Sequence, residues 1–391
     1  MIARQIEENM VKGSMIRQMF EEGNRLKALY GADQVFDFSL GNPDLEPPQA
    51  VQDALRDLVF EAPPGLHAYM SNAGHDSVRQ AVAKRHSLLC GFEIPFQLVC
   101  MTVGAAGALN VALKAILDPG DEVILLAPFF FEYLSYIDNH GGKPVIVKND
   151  QKTLLPDLSA IEQALSPRTK AIIINSPNNP SGTLYPETIL QSLDHLLAKQ
   201  KQTIYVLSDE PYAELVYGGR KMPPTFASLK NAVICTSWSK SLSLPGERIG
   251  CLIASPRCED ADKLIEACIY CNRILGFVNA PALFQRVIER AIHAQIDLEQ
   301  YEKRCRLLAD VLRQAGFDVS LPDGGLYLFP KSPIRDDLSF SRVCTEHNIL
   351  VVPGSGFCFE GYFRLCFAVP EQTIRRSSDA FQAIGRHYGL I

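Results

Sequence analysis

The sequence predicts an α/β fold, with a mostly parallel sheet flanked by helices and a smaller α+β unit beside it. Three observations point that way. Between about residues 95 and 255, short apolar runs alternate with stretches of helical spacing, the pattern of a sheet covered by helices. Two of those runs, Ala232–Cys235 and Ile249–Ala254, flank a hydroxyl-rich turn that carries one lysine, Lys240. Beyond residue 320 the strand-like runs, Leu326–Phe329 and Ile349–Val352, are interleaved with helical segments instead.

The elements follow in order. Residues 1 to about 30 read as one helix, because Ile6, Met10, Ile16, Met19, Phe20, Leu26 and Leu29 recur at roughly helical spacing and Gly31 ends the run. A short strand at Phe36–Phe38 breaks into Gly41-Asn42-Pro43, where Gly41 permits a close backbone approach. Leu98–Val103 reads as a strand, and Gly104-Ala105-Ala106-Gly107 opens a helix to about Leu117. Strand, glycine turn and helix N-terminus together present free N–H groups, and roughly half a positive charge, to an anion. No Gly-x-x-x-x-Gly-Lys-Ser pattern is present, so a nucleotide P-loop is excluded and a single phosphate fits better.

Asp121–Ala127, Lys143–Lys148, Thr169–Asn175 and Thr203–Leu207 read as further strands, with helices at 156–165 and 187–199 between them. Phe129, Phe130, Phe131 and Tyr133 crowd a loop mouth, and Phe131 and Tyr133 are assigned to core or interface. Asp209 falls just past a strand's carboxyl end, a functional position in an open α/β sheet, although a helix N-cap would also use it. Helices are expected at 258–271, at 282–315 as one long rod, and at 371–388. The last strand, Tyr362–Phe367, carries Arg364 in an apolar run. A charge there is costly unless paired, so Arg364 is expected to await an anion, and its planar fork suits a carboxylate.

Composition narrows the function classes. The net charge of -6 and the lack of long basic runs argue against a nucleic-acid partner. Apolar stretches such as Ile172-Ile173-Ile174 are far short of the ~20 residues that span a bilayer. The acidic N-terminal stretch does not read as a signal peptide, and a cytoplasmic location is expected. The 11 cysteines are scattered singly in apolar runs, as small buried hydrophobes in a reducing compartment. Cys268-x-x-Cys271 has no second pair at zinc spacing, and no metal site is expected.

The turn around Lys240 carries the chemistry. A lysine at a sheet edge facing a crevice loses its proton readily and becomes an amine nucleophile. The nearby hydroxyls and Arg248 are groups a phosphate would take. An amine nucleophile beside a phosphate cradle suggests pyridoxal phosphate. Ser237-x-Ser239-Lys240, with Arg248 eight residues on and Gly250 after it, resembles the internal-aldimine signature of the fold-type I aminotransferases, class I/II, of the aspartate aminotransferase superfamily.

The resemblance covers nearly the whole chain and implies a role for each matching position. It implies a seven-stranded sheet in a large coenzyme-binding domain at 45–280, and a small domain from 1–44 and 281–391. The phosphate would lie on Gly104, Ala105, Ala106, Ser237, Ser239 and Arg248. Phe130 would stack on the pyridine ring, and Asp209 would keep its nitrogen protonated. Tyr212 and Asn179, the latter in an Asn-Pro-x-Gly loop, would reach the phenolic oxygen. Gly41, Asn179 and Arg364 would meet the substrate, Arg364 at its α-carboxylate. Tyr69 would cross a homodimer interface to the neighbouring phosphate, giving shared active sites. Arg273 is read as a surface arginine. The expected reaction moves an amino group from an L-amino acid to a 2-oxo acid. A C–S β-lyase, a cyclase or decarboxylase of the same fold, and a catalytically silent regulator or scaffold stay open as alternatives.

Overall fold

The computed structural model describes residues 2–3, 6–7 and 15–391. The expected first helix is present as Met15–Tyr30, and its earlier part at residues 1, 4–5 and 8–14 lies outside the described residues. Gly31 closes it in a left-handed conformation, its N–H donating to the Lys27 carbonyl. A two-residue strand, β1 (Phe36–Asp37), follows.

The centre is a seven-stranded sheet. In chain order its strands are β2 (Val99–Thr102), β3 (Glu122–Ala127), β4 (Lys143–Lys148), β5 (Thr169–Asn175), β6 (Tyr205–Asp209), β7 (Ala232–Ser237) and β8 (Gly250–Ala254). Their spatial order is β2-β8-β7-β6-β5-β3-β4. Only β8 runs against its neighbours, so the sheet is mostly parallel as expected. The strands read as unbroken apolar runs because both faces are covered. Along β3, Ile124 and Leu126 face one buried cluster while Val123, Leu125 and Ala127 face the other. The same alternation runs along β5, with Ile172 and Ile174 on one side and Ala171 and Ile173 on the other.

The C-terminal part packs separately, on a third cluster that includes Phe317, Phe340, Phe363 and Phe381. Its strands are β9 (Tyr327–Leu328), β10 (Ile349–Leu350), β11 (Val352–Pro353) and β12 (Phe363–Cys366). They form an antiparallel trio, β11-β12-β9, and β10 pairs in parallel with β1. Through that pairing the segment 36–41 is held beside β12, where Cys366 N–H donates to the Phe38 carbonyl at 2.8 Å.

Two expected helices are each two. The rod expected at 282–315 is Ala282–Ala291 and Leu298–Gln314, separated at residues 292–297. The first piece packs on the helices Gln49–Glu61 and Asp76–Cys90, the second on Glu371–Arg376 and Ser378–His387. One straight rod could not lay its apolar face on both, and the chain turns between them. The helix expected at 371–388 breaks at Ser377, whose hydroxyl donates to the Ile374 carbonyl at 2.7 Å. The run expected as one strand at Ile349–Val352 is also two, β10 and β11, which pair in different sheets; the other boundaries move by a few residues, and β6 extends to include Asp209 as its last residue.

The third cluster depends on aromatic contacts. Phe340 lies 4.6 Å from Phe363 and 6.0 Å from Phe317, centroid to centroid. Phe340→Ala should destabilise the protein by about 3–5 kcal/mol, the usual cost of deleting a buried aromatic ring. Phe60→Ala, at a side chain 91% exposed, should change stability by less than about 0.5 kcal/mol. Urea unfolding of both variants checks this, and equal midpoints would refute it.

Candidate active site

The carboxyl ends of β5, β6 and β7 open onto a cavity of about 270 Å³. Register brings Asn175, Asp209 and Cys235 side by side at that edge. Loops from distant parts of the chain close the rest, so that Gly41, Lys240 and Arg364 line one space.

Lys240 stands in the short helical turn Trp238–Ser241 that follows β7. Its Nζ donates to the Gly41 carbonyl at 2.6 Å. Burial lowers its pKa to about 8; Cys366 opposes the shift and the charges of Arg364 and Arg248 reinforce it. Gly41 must be glycine there, since a Cβ would stand 1.8 Å from the Tyr327 hydroxyl. The close approach expected at this position is thus real, and its partner is Tyr327.

Asp209 is buried at the end of β6. Burial pushes its carboxyl up to about 7, the Tyr133 hydrogen bond pulls the other way, and the neighbouring charge of Glu210 adds to the rise. Oδ2 accepts from the Tyr133 hydroxyl, and Oδ1 is buried with no partner among the described residues. Asp209 accepts no N–H bond that would mark a helix N-cap; its carbonyl takes the Asn175 amide at 2.8 Å.

Arg364 is 1% exposed and has no salt bridge among the described residues. Nη1 donates to Asn179 Oδ1 at 2.9 Å, Nη2 donates to the Ser39 carbonyl at 2.5 Å, and Nε is unpartnered. The guanidinium lies over the rings of Tyr327 and Phe357, 4.3 and 4.9 Å from their centroids. A buried guanidinium held by neutral groups keeps its full attraction for an anion.

On the other side, the 13-residue helix Gly104–Ile116 points its N-terminus at the cavity, with Ala105 and Ala106 in the wall. Its first-turn N–H groups have no acceptor within the helix. Gly104 sits at φ +78°, and its Cβ position is 3.0 Å from Arg248 Nη2. Gly250 lets that turn press against β8, because a Cβ there would be 2.7 Å from the Gly104 backbone. Ser237 and Ser239 line the cavity, and their hydroxyls make no hydrogen bond among the described residues. Phe130, Asn179 and Tyr212 complete the wall.

These groups fit pyridoxal phosphate. The helix N-terminus, two free hydroxyls and Arg248 suit a phosphate. The orphaned Asp209 oxygen suits a protonated ring nitrogen. Asn179 turns its carbonyl to Arg364, which leaves its amide N–H groups to donate. Of the residues assigned from sequence, Tyr69 is not brought in, since it is 91% exposed and outside this chain's cavity. Gly104 contributes from behind the wall. Arg273 is exposed at the end of the helix Ala261–Ile274.

Four contributors were not found from sequence. Tyr133 is buried, as assigned, but is a partner of Asp209 as well as a core residue. The signal was available, because a buried tyrosine hydroxyl normally has a partner. Asn175 ties the backbone of Asp209 to that of Asn179, whose N–H its Oδ1 accepts at 2.6 Å. Tyr327 and the Ser39 carbonyl reach the site only through tertiary packing, which leaves no local trace.

A sequence model of the family described as "Aminotransferase class I and II" matches residues 33–381. The chain is 30% identical to the aspartate/prephenate aminotransferase of Thermus thermophilus, covering 88% of this chain and 90% of that one. It is 31% identical to the aspartate aminotransferase of Thermotoga maritima, over 98% of both. An amino transferase structure from Eubacterium rectale superposes with a TM-score of 0.95 at 35% identity, over 99% of both chains.

Because the folded-state pKa of Lys240 is depressed, its penalty is full below about pH 8 and is relieved as pH rises from there toward the ordinary 10.5. In coenzyme-free protein, acetylation of Lys240 followed by mass spectrometry should rise with a midpoint near 8. A midpoint near 10.5, like that of a surface lysine, would refute the environment described.

Proposed function

The chain belongs to the class I and II aminotransferases, and we propose that Lys240 bonds the coenzyme and moves the substrate's proton. The chain transfers an amino group from an amino acid to a 2-oxo acid, with pyridoxal phosphate as coenzyme. The observation that carries the residue assignment is the convergence of three desolvated ionisable groups, Lys240, Asp209 and Arg364, on one cavity.

When bound, pyridoxal phosphate supplies a protonated ring that draws electrons from the substrate's α-carbon. The helix N-terminus at Gly104-Ala105-Ala106, with Ser237, Ser239 and Arg248, holds the phosphate. Asp209 Oδ1 holds the proton of the ring nitrogen, with Tyr133 fixing the other oxygen. Tyr212 and Asn179 would donate to the phenolic oxygen, and Phe130 would lie against the ring. Arg364 takes the α-carboxylate, for which its fork already faces the cavity. The Gly41 carbonyl holds Nζ of Lys240 in place. As a neutral amine, Nζ would take the substrate's α-proton and hand it to the coenzyme, and would carry a proton the opposite way when the second oxo acid receives the amino group.

We further assign the chain to a cytoplasmic homodimer. The exposure of Tyr69 supports the homodimer, because a ring 91% exposed on one copy is free to reach the phosphate of another. We also propose a large domain at 45–280 and a small domain from 1–44 and 281–391; the change of packing partners between the helices Ala282–Ala291 and Leu298–Gln314 supports a division in this part of the chain.

Lys240→Ala should lose the visible absorbance of the bound coenzyme and all turnover against a panel of amino donors with 2-oxoglutarate. Full activity in that variant would end the proposal. Arg364→Lys should keep the absorbance but raise KM for both substrates by about 10–100-fold, since a point charge replaces a two-bond fork. Release of pyruvate and ammonia from cystathionine without an oxo-acid acceptor would favour the lyase instead.

A further inference from the structure

Tyr327 touches three of the residues to which the reaction is assigned. It is buried in β9, and its hydroxyl lies 3.0 Å from that of Tyr212. Its ring carries the Arg364 guanidinium 4.3 Å above the centroid. Its hydroxyl fills the space that a side chain at Gly41 would need, and the Gly41 carbonyl holds Lys240.

The proton count sets the direction of the tyrosine pair. Each hydroxyl has one proton. If Tyr212 spends its own on the coenzyme's phenolic oxygen, it can only accept from Tyr327. A hydroxyl that accepts a hydrogen bond is polarised into a stronger donor. The ring has a separate effect. Buried beneath a guanidinium that lacks a carboxylate partner among the described residues, it favours one plane for the fork.

We infer that Tyr327 is a positioning residue with two separable roles: its hydroxyl turns the Tyr212 proton toward the coenzyme, and its ring sets the plane of Arg364 for the substrate carboxylate. The inference rests on the roles given above to Tyr212 and Arg364. A tyrosine that only filled the core would not move the coenzyme's titration on loss of a single oxygen atom.

The test uses the holoenzyme and three variants. Tyr327→Phe keeps the ring, so KM for the amino donor should stay within about twofold. The pH midpoint of the coenzyme's visible absorbance should rise by about half a unit or more, because a weaker donor stabilises the phenolic anion less. The charges of Arg364 and Asp209 that also face Tyr212 are untouched by this change. In a Tyr212→Phe background the same substitution should leave the midpoint where it was. Tyr327→Leu removes the ring and should raise KM for donor and acceptor by about tenfold or more. A Tyr327→Phe midpoint equal to the wild-type value overturns the hydroxyl role, and an unchanged KM in Tyr327→Leu overturns the ring role. If Tyr327→Leu does not fold, the Phe variant alone still decides the first. A wild-type protein with no visible band would instead sink the assignment of Lys240 itself.

Discussion

The site depends on desolvation. Lys240, Asp209 and Arg364 surround one cavity, and none of them has an oppositely charged partner among the described residues. Each is met by neutral groups: a carbonyl, a phenol, an amide. Burial moves the lysine down to about 8 and the carboxyl up to about 7, toward each other and toward neutrality. The shift at Asp209, from 3.8 to about 7, corresponds to a cost on the order of 4 kcal/mol at neutral pH. A fold with a net stability of roughly 5–15 kcal/mol can carry such a cost only if other parts are well packed. Here the two faces of the sheet and the aromatic cluster of the C-terminal part supply that packing.

The same constraint explains the connectivity. Three desolvated groups from one stretch of chain would have to lie on one turn, where their backbone would also need burial. Instead each comes from a different rigid element: Asp209 from the end of β6, Lys240 from the turn after β7, Arg364 from within β12. Glycines then allow the closest contacts. Gly41 seats against Tyr327, and Gly250 lets the Gly104 turn lie on β8. Gly41 makes room for the Tyr327 side chain and Gly250 for the Gly104 backbone, and neither position tolerates even a methyl group without displacing a wall of the site.

What was legible in the sequence follows a physical rule. Features fixed by local order were readable. The apolar runs of β3, β5 and β7 gave the sheet because strands covered on both faces cannot alternate with polar residues. Arg364 was readable because a charge in such a run demands an explanation. The turn after β7 was readable because residue types and spacing agreed over a short stretch. Features fixed by tertiary contact were not. Nothing near Tyr327 in sequence shows that its ring lies under Arg364 and its hydroxyl beside Tyr212. The chain turn at 292–297 was missed because apolar spacing runs on through it, while the surfaces it packs against change from the helices 49–61 and 76–90 to those after residue 370. Tyr133 was half legible: its burial could be foreseen, its partner could not.

The unpartnered state of these groups also couples the coenzyme to the fold. A ligand that brings a phosphate to the Gly104 helix N-terminus and a protonated nitrogen to Asp209 Oδ1 offsets the desolvation already incurred there. Its binding energy therefore adds to the stability of the folded chain, as for any ligand that binds only the native state. Arg364 stays out of that account, since its anion is the substrate and comes and goes. Its two rings and two carbonyl acceptors must hold it in place between turnovers. Neutral acceptors do this without competing for its charge, as a resident carboxylate would. The absence of an acidic partner beside Arg364, among the described residues, is in this sense the condition for reversible substrate binding.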